Sequence, residues 1–186
     1  MRHAAALATA AGFLAGQAAA QEAITADEVT DFLSGLDARA EEAVAAGDWS
    51  SVRDWMRGHL SEDARLATSG SIATRDGPMA RYSMTLDRET LERLSEAGMA
   101  APGRLAMEAI VDYRLRTEVR GVMELPNGEA GVRVDFHEAG RLGEADGGPL
   151  PGLTFHSVSS CDLRLARGGE GALEIVIATC ETVTTL

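Results

Sequence analysis

Lysine is missing from this sequence: all 17 basic residues are arginine, and they face 29 aspartates and glutamates, for a formal charge of −12. A polyanionic surface repels nucleic acid and anionic lipid, because neutralisation of phosphate by basic groups supplies most of that affinity. Neither is expected as a partner. Cysteine is scarce too, with two residues, and of the four histidines only His59, His137 and His156 follow the first twenty residues. None of these falls at the spacing a zinc site needs, so no metal is expected. No Gly-x-Ser-x-Gly occurs to form a nucleophile elbow, and Ser69-Gly70-Ser71 falls within a weak strand pattern. The glycine clusters at Gly147-Gly148 and Gly168-Gly169-Glu170-Gly171 lie between strands, without the following helix whose N-terminus would hold a phosphate. No cofactor is expected. Nor is there an apolar run long enough to span a bilayer.

An uncharged, mainly apolar run, residues 4–14, follows Arg2 and His3 and precedes Ala18-Ala19-Ala20. A positive start, a short apolar segment and small residues at the end are the parts of a secretory signal. Residues 1–20 are therefore read as a signal peptide cut between Ala20 and Gln21, which places the protein in the periplasm or outside the cell, with no membrane insertion after cleavage. Losing Arg2 with the leader takes the formal charge to −13. Residues 21–186 are read as one domain, with no internal repeat and no Pro- or Ser-rich divider.

Thr25-Ala26-Asp27-Glu28 has the form of a capping box and predicts a helix start. Val29, Phe32, Leu33, Leu36, Ala40, Ala43 and Val44 continue it as one apolar face, and Gly47 ends it. Asp48 is expected to cap a second helix carrying Trp49, Val52, Trp55 and Met56, with both tryptophans toward a sheet. Residues 64–74 read as a strand, Asp76-Gly77-Pro78 as a turn and residues 81–86 as a further extended piece. Asp87 is expected to cap a third helix with Leu91 and Leu94, broken between Gly98 and Gly103, with Pro102 opening a last turn through Met107.

From Tyr113 the period becomes two. Tyr113, Leu115, Thr117, Val119, Met123 and Leu125 share one side, and Arg114, Arg116, Glu118, Arg120 and Glu124 the other. Asn127-Gly128 predicts a two-residue hairpin, which sets Met123 opposite Val132, Val119 opposite Phe136, Arg120 against Asp135 and Glu118 against His137. After a glycine-rich connection from 140 to 152, a second hairpin with Glu170 and Gly171 as its loop sets Cys161 opposite Cys180, Leu163 opposite Ala178 and Leu165 opposite Val176. Opposed cysteines on antiparallel strands lie within disulfide reach, and an exported chain matures where disulfides persist. A Cys161–Cys180 bridge is expected.

Two helices, a short strand region, a third helix and long antiparallel strands make an α+β pattern, with N-terminal helices packed on a curved, mainly antiparallel sheet. This order resembles the nuclear transport factor 2-like superfamily, the SnoaL-like or cystatin-like cone, which includes polyketide cyclases, ketosteroid isomerase and scytalone dehydratase. Arg81-Tyr82-Ser83-Met84-Thr85-Leu86-Asp87, Asp112-Tyr113-Arg114, the Asn-Gly hairpin and the closing Thr-Thr-Leu resemble exported bacterial members without an assigned activity. The glycines at 98 and 103 depart from the unbroken third helix of such domains. The resemblance implies a cavity between helices and sheet, and an interior Asp or Asp–His pair wherever a member is a proton-transfer enzyme.

Cavity-lining candidates are Trp49, Trp55, Tyr82, Tyr113, Leu115, Thr117, Val119 and Phe136. Asp112 beside Tyr113 is the carboxylate placed nearest the cavity mouth. Asp135 and His137 fall on the polar face, and His156 and Asp162, six residues apart and so about 20 Å along a strand, are too distant to form a dyad. Filling of the core is the plain account of the apolar lining. Three functions follow as expectations: a noncatalytic exported domain binding a small apolar or amphipathic molecule or a protein partner; a proton-transfer lyase or isomerase of the dehydratase type using Asp112 and Tyr113; and a homodimer joined through an exposed sheet face bearing Ile175, Ile177 and Val183.

Overall fold

Thr25 begins the first helix as its sequence requires. Its hydroxyl accepts from the Glu28 amide at 3.2 Å, and the Glu28 carboxylate accepts from the Thr25 amide at 2.9 Å, satisfying two donors that a helix start leaves open. In the computed structural model, which describes residues 22–90, 93, 110–143, 152–169 and 171–186, helix α1 spans Ala26–Ala46 and closes on Gly47 in the left-handed conformation. Helix α2 spans Ser50–His59. Trp49 stands at its N-cap position without a side-chain cap bond, and Asp48, one residue earlier, accepts from the Ser50 amide at 2.9 Å. The leader, the Leu91, Leu94 and Met107 region expected as a third helix, and Glu170 lie outside the described residues. The Asp87 expectation is met as far as the description runs: its carboxylate accepts from the Thr90 amide at 2.8 Å, and the chain is helical at 88–90.

Six strands follow: β1 Leu60–Thr74, β2 Gly77–Asp87, β3 Ile110–Glu124, β4 Ala130–Leu142, β5 Thr154–Arg167 and β6 Leu173–Thr185. They form one sheet in the order β2-β1-β6-β5-β4-β3, antiparallel throughout except for the β1–β6 pair. Helix α1 lies along β3. Its Val29 and Leu33 meet Ala130, Val132 and Val134 of β4, Cys161, Leu163 and Leu165 of β5, and Leu173, Ile175 and Ala178 of β6, all buried. Arg167 ties β5 back to the helix start through Glu28 at 2.8 Å. The sheet thus has one face packed on helices and one face of alternating polar residues, the alternation that period-two sequence produces.

The register of the first hairpin differs from the expected one. Asn127 and Gly128 both take the positive φ that the dipeptide favours (66° and 73°), yet Pro126 has no N–H to complete a narrow pair with Glu129. Leu125 donates to the Glu129 carbonyl in its place, at 2.8 Å, and the loop gains a residue. Val132 therefore faces Val122 rather than Met123, and Met123 points to solvent. A bulge at Arg120 then restores the odd-numbered face, so Val119 faces Val134 rather than Phe136, and Thr117 faces Phe136. Directly opposite pairs on the outer face are Glu118 with Asp135 and Arg116 with His137. The anticipated ion pairs survive as diagonals: Arg120 bonds Asp135 at 2.8 Å, and His137 approaches Glu118 at 3.8 Å.

In the second hairpin Cys161 faces Cys180 and Leu163 faces Ala178, and the sulfurs are bonded. The ladder closes one pair early, with Gly168 donating to Ala172, because Gly171 takes the left-handed φ (81°) of a longer loop. Val176 is left as the extra residue, so Leu165 faces Ile175. Ile175 consequently turns into the core, while Ile177 and Val183 remain exposed on the outer face, Val183 opposite Val158. That corrects the assignment of Ile175 to an exposed patch.

Candidate functional site

A local irregularity in β3 determines which side chain enters the space between helices and sheet. Val111 faces Arg141 and Arg114 faces Ala139, so Asp112 and Tyr113 together stand opposite Gly140. Asp112 holds the left-handed φ of 54° that completes this bulge, and bulges re-aim side chains in this way. Its carboxylate is thrown outward, 72% exposed, onto Arg141 at 2.8 Å. The carboxylate expected at the cavity mouth is therefore an outer-face ion pair. Tyr113 turns inward.

The Tyr113 hydroxyl donates to Glu138 of β4 at 2.6 Å. Burial and the neighbouring Glu138 carboxylate push the phenol well above the ordinary tyrosine range, and Asp37 and Glu41 of α1 act in the same direction. The phenol is therefore a hydrogen-bond donor at any physiological pH. Asp37 itself accepts from both the amide (2.9 Å) and the hydroxyl (2.5 Å) of Thr117, fastening α1 to β3 at the position four residues after Tyr113.

Aromatic rings frame this pair. Trp49 meets Tyr113 edge to face, with centroids 6.0 Å apart, and Phe155 of β5 lies 6.5 Å from it. The Phe155 ring occupies the space above Gly140, where a Cβ would come within 2.7 Å of it. The indole N–H of Trp49 is buried and has no hydrogen-bond partner among the described residues, a cost ordinarily avoided. Farther along the inner face, Ser157 and Thr184 are hydrogen-bonded at 3.1 Å and Ser159 and Thr182 at 2.8 Å. Tyr82 of β2 lies over Gly70.

The remaining candidates are distributed differently. Trp55 packs on Phe32 of α1 (5.0 Å) and His59 (4.7 Å), between the helices and away from the pair. Leu115, Thr117, Val119 and Phe136 are half-buried on the inner face, with Val119 and Phe136 packed on the core. Asp135, His156 and Asp162 are on the outer face, where Asp162 bonds Arg133 at 3.2 Å. Arg120 holds the Asp135 carboxyl below its usual range. Glu138, Asp37 and Phe155 were not singled out from sequence. Yet Glu138 continues the parity of Val132, Val134 and Phe136, and Asp37 interrupts the apolar stripe four residues after Leu33 and three before Ala40. No group of three or more metal-ligating side chains occurs among the described residues, nor any helix long and apolar enough to cross a membrane.

In overall fold the chain is similar to a solved scytalone dehydratase-like protein from Novosphingobium aromaticivorans. The match covers 86% of this chain and 85% of that one, with 8% identity and a TM-score of 0.54. The fold is the nuclear transport factor 2-like cone. Weaker likenesses to cone domains include a nuclear transport factor 2-like protein of unknown function from Shewanella oneidensis (15% identity, 82% of this chain and 98% of that one, TM-score 0.42). Another is a cystatin-like-fold domain of unknown function from Nostoc punctiforme (17%, 85% and 78%, 0.43). No protein-family model matches the sequence, and no curated protein is significantly similar to it. In a cone of this kind the concave face under the helices is the sheltered surface, and here that surface presents Tyr113, Glu138, Trp49 and Phe155. Identity this low carries the fold alone, and fold does not imply function.

Proposed function

We propose that this chain is an exported binding domain that holds a small amphipathic molecule between its helices and the concave face of the sheet. The observation that carries the reading is the Tyr113–Glu138 hydrogen bond, half-buried among Trp49 and Phe155 and beside an unpartnered indole N–H. Apolar walls with a few convergent polar groups are what small-molecule sites have in common. A ligand hydroxyl or carbonyl would accept from Trp49, and a ligand donor would use the second oxygen of Glu138. Export is supported by the leader pattern of residues 1–20 and by the Cys161–Cys180 bridge; N-terminal sequencing of secreted material should begin at Gln21.

Tryptophan fluorescence titrated with lipid, steroid and aromatic alcohols tests the binding reading. Trp49→Phe should abolish the response and Trp55→Phe should leave it, because only Trp49 adjoins the pair. No response across those classes would reject the proposal.

A second reading is proton-transfer chemistry of the dehydratase type, with Glu138 rather than Asp112 as the base and Tyr113 as its hydrogen-bonded partner. It is favoured by a carboxylate and a phenol converging inside the concave face. Elimination of water from β-hydroxy ketones, lost in Glu138→Gln while ligand binding persists, would support it. Absence of turnover by the unmodified protein would leave binding alone.

A further inference from the structure

Strand β2 is one edge of the sheet, and no described strand pairs with its outer side. Natural edges are blunted by charged inward side chains, bulges or proline, because a row of open N–H and C=O groups invites pairing. Here Pro78 and the bulge at Met79 are confined to the start of the strand, and the charges that follow, Arg81 and Asp87, are of opposite sign. Residues 81–87 run unbroken in register with β1, and Arg81, Ser83, Met84, Thr85 and Asp87 are exposed.

The order of those seven residues is self-complementary. Laid antiparallel on itself about Met84, the strand sets Arg81 opposite Asp87, Tyr82 opposite Leu86 and Ser83 opposite Thr85. Each cross-strand pair is of a kind that stabilises a sheet: opposite charges, aromatic with aliphatic, hydroxyl with hydroxyl. Parity agrees with the faces, since Arg81 and Asp87 share the outer face, and Tyr82, Met84 and Leu86 share the inner one with Thr182 and Cys180. Arg81 has no ion pair among the described residues.

We propose that β2 is a self-pairing edge at which two copies of this chain join antiparallel about a two-fold axis at Met84, making one sheet continuous through both. A two-fold contact presents the same patch on each subunit, so each dimer carries the Arg81–Asp87 contact twice.

The test is a charge exchange read by sedimentation equilibrium on the mature chain. Arg81→Glu and Asp87→Arg should each weaken self-association, by roughly tenfold, because each puts two like-charge contacts into the homodimer. Mixing the two variants should restore association, since both contacts in the mixed dimer are then attractive. Asp87→Arg also removes the Asp87–Thr90 cap, so circular dichroism checks its fold, and Met84→Cys supplies a readout independent of it. With the native cysteines bridged, Met84→Cys should give a disulfide-linked dimer on oxidation, and Met123→Cys, more exposed but on β3, should not. A monomer at high micromolar concentration, a dimer indifferent to the exchange, or cross-linking through Val183→Cys in place of Met84→Cys would overturn the proposal; the last outcome would place the contact on the outer sheet face.

Discussion

Reduction of the Cys161–Cys180 bridge isolates what one covalent tie contributes to this sheet. The two residues are 19 apart in sequence, and closing a loop of that length removes chain entropy worth about 3 kcal/mol from the unfolded state. For a chain of this size that is a fall in melting temperature of roughly 6–12 °C. Cys161 is buried at 2% exposure, so packing could in principle add to the loss, and a double variant separates the two effects. Reduced protein keeps both sulfur atoms, whereas Cys161→Ala/Cys180→Ala keeps neither. If the cross-link dominates, the two should unfold within about 1 kcal/mol of each other in urea, both well below the oxidised chain. Equal midpoints for oxidised and reduced protein would refute the entropy argument. Alkylation of both thiols in freshly purified, unreduced protein would refute the bridge itself.

Two further outcomes follow from the geometry. Gly140→Ala should destabilise by about 1–3 kcal/mol, because its Cβ would meet the Phe155 ring at 2.7 Å; urea unfolding should show the loss shrinking when Phe155→Leu is added. Acid unfolding should contain a step due to Glu28, whose carboxyl is lowered from 4.5 to about 2, first by the Thr25 amide and then by Arg167. Because the folded state holds its proton less tightly than the unfolded chain, this stabilisation is complete above about 4.5 and disappears as pH falls toward 2. Glu28→Gln should flatten the stability curve in that window, and an unchanged curve would count against the capping role.

Much of this architecture is legible in the sequence because several local signals agree. The capping box at Thr25, the left-handed Gly47 and the opposition of Cys161 to Cys180 are all where spacing puts them. They rest on short-range rules that need no knowledge of the rest of the chain. Register beyond a turn is harder to read, because one extra residue exchanges the two faces of everything that follows. Pro126 was visible, but its effect required asking which amide could donate to Glu129. The bulge at Val176 was not visible, since Ile175, Val176 and Ile177 are equally apolar and only the left-handed Gly171 forces the slip. Glu138 was readable from parity. What sequence could not say is that Trp55 would pair with Phe32 across two helices while Trp49 alone reached β3.

The interior pair depends on one residue of surplus chain. Ile110 pairs with Leu142 and Val111 with Arg141; an unbroken ladder would next place Asp112 inward, opposite Gly140, and Tyr113 outward beside Ala139. The bulge reverses both placements. It moves an ionised side chain to the solvent-exposed face, where Arg141 balances it, and brings in a phenol that meets Glu138. Burying Asp112 there would desolvate a charge amid Glu138, Asp37 and Glu41, whereas a neutral phenol in the same place satisfies one of those carboxylates. Gly140 completes the arrangement, because only a residue without a Cβ lets Phe155 lie across the strand beside Tyr113. Sequence proximity suggested that Asp112 and Tyr113 act together; the fold separates them to opposite sides of the sheet, and the hydrogen-bond partner of Tyr113 comes from the next strand.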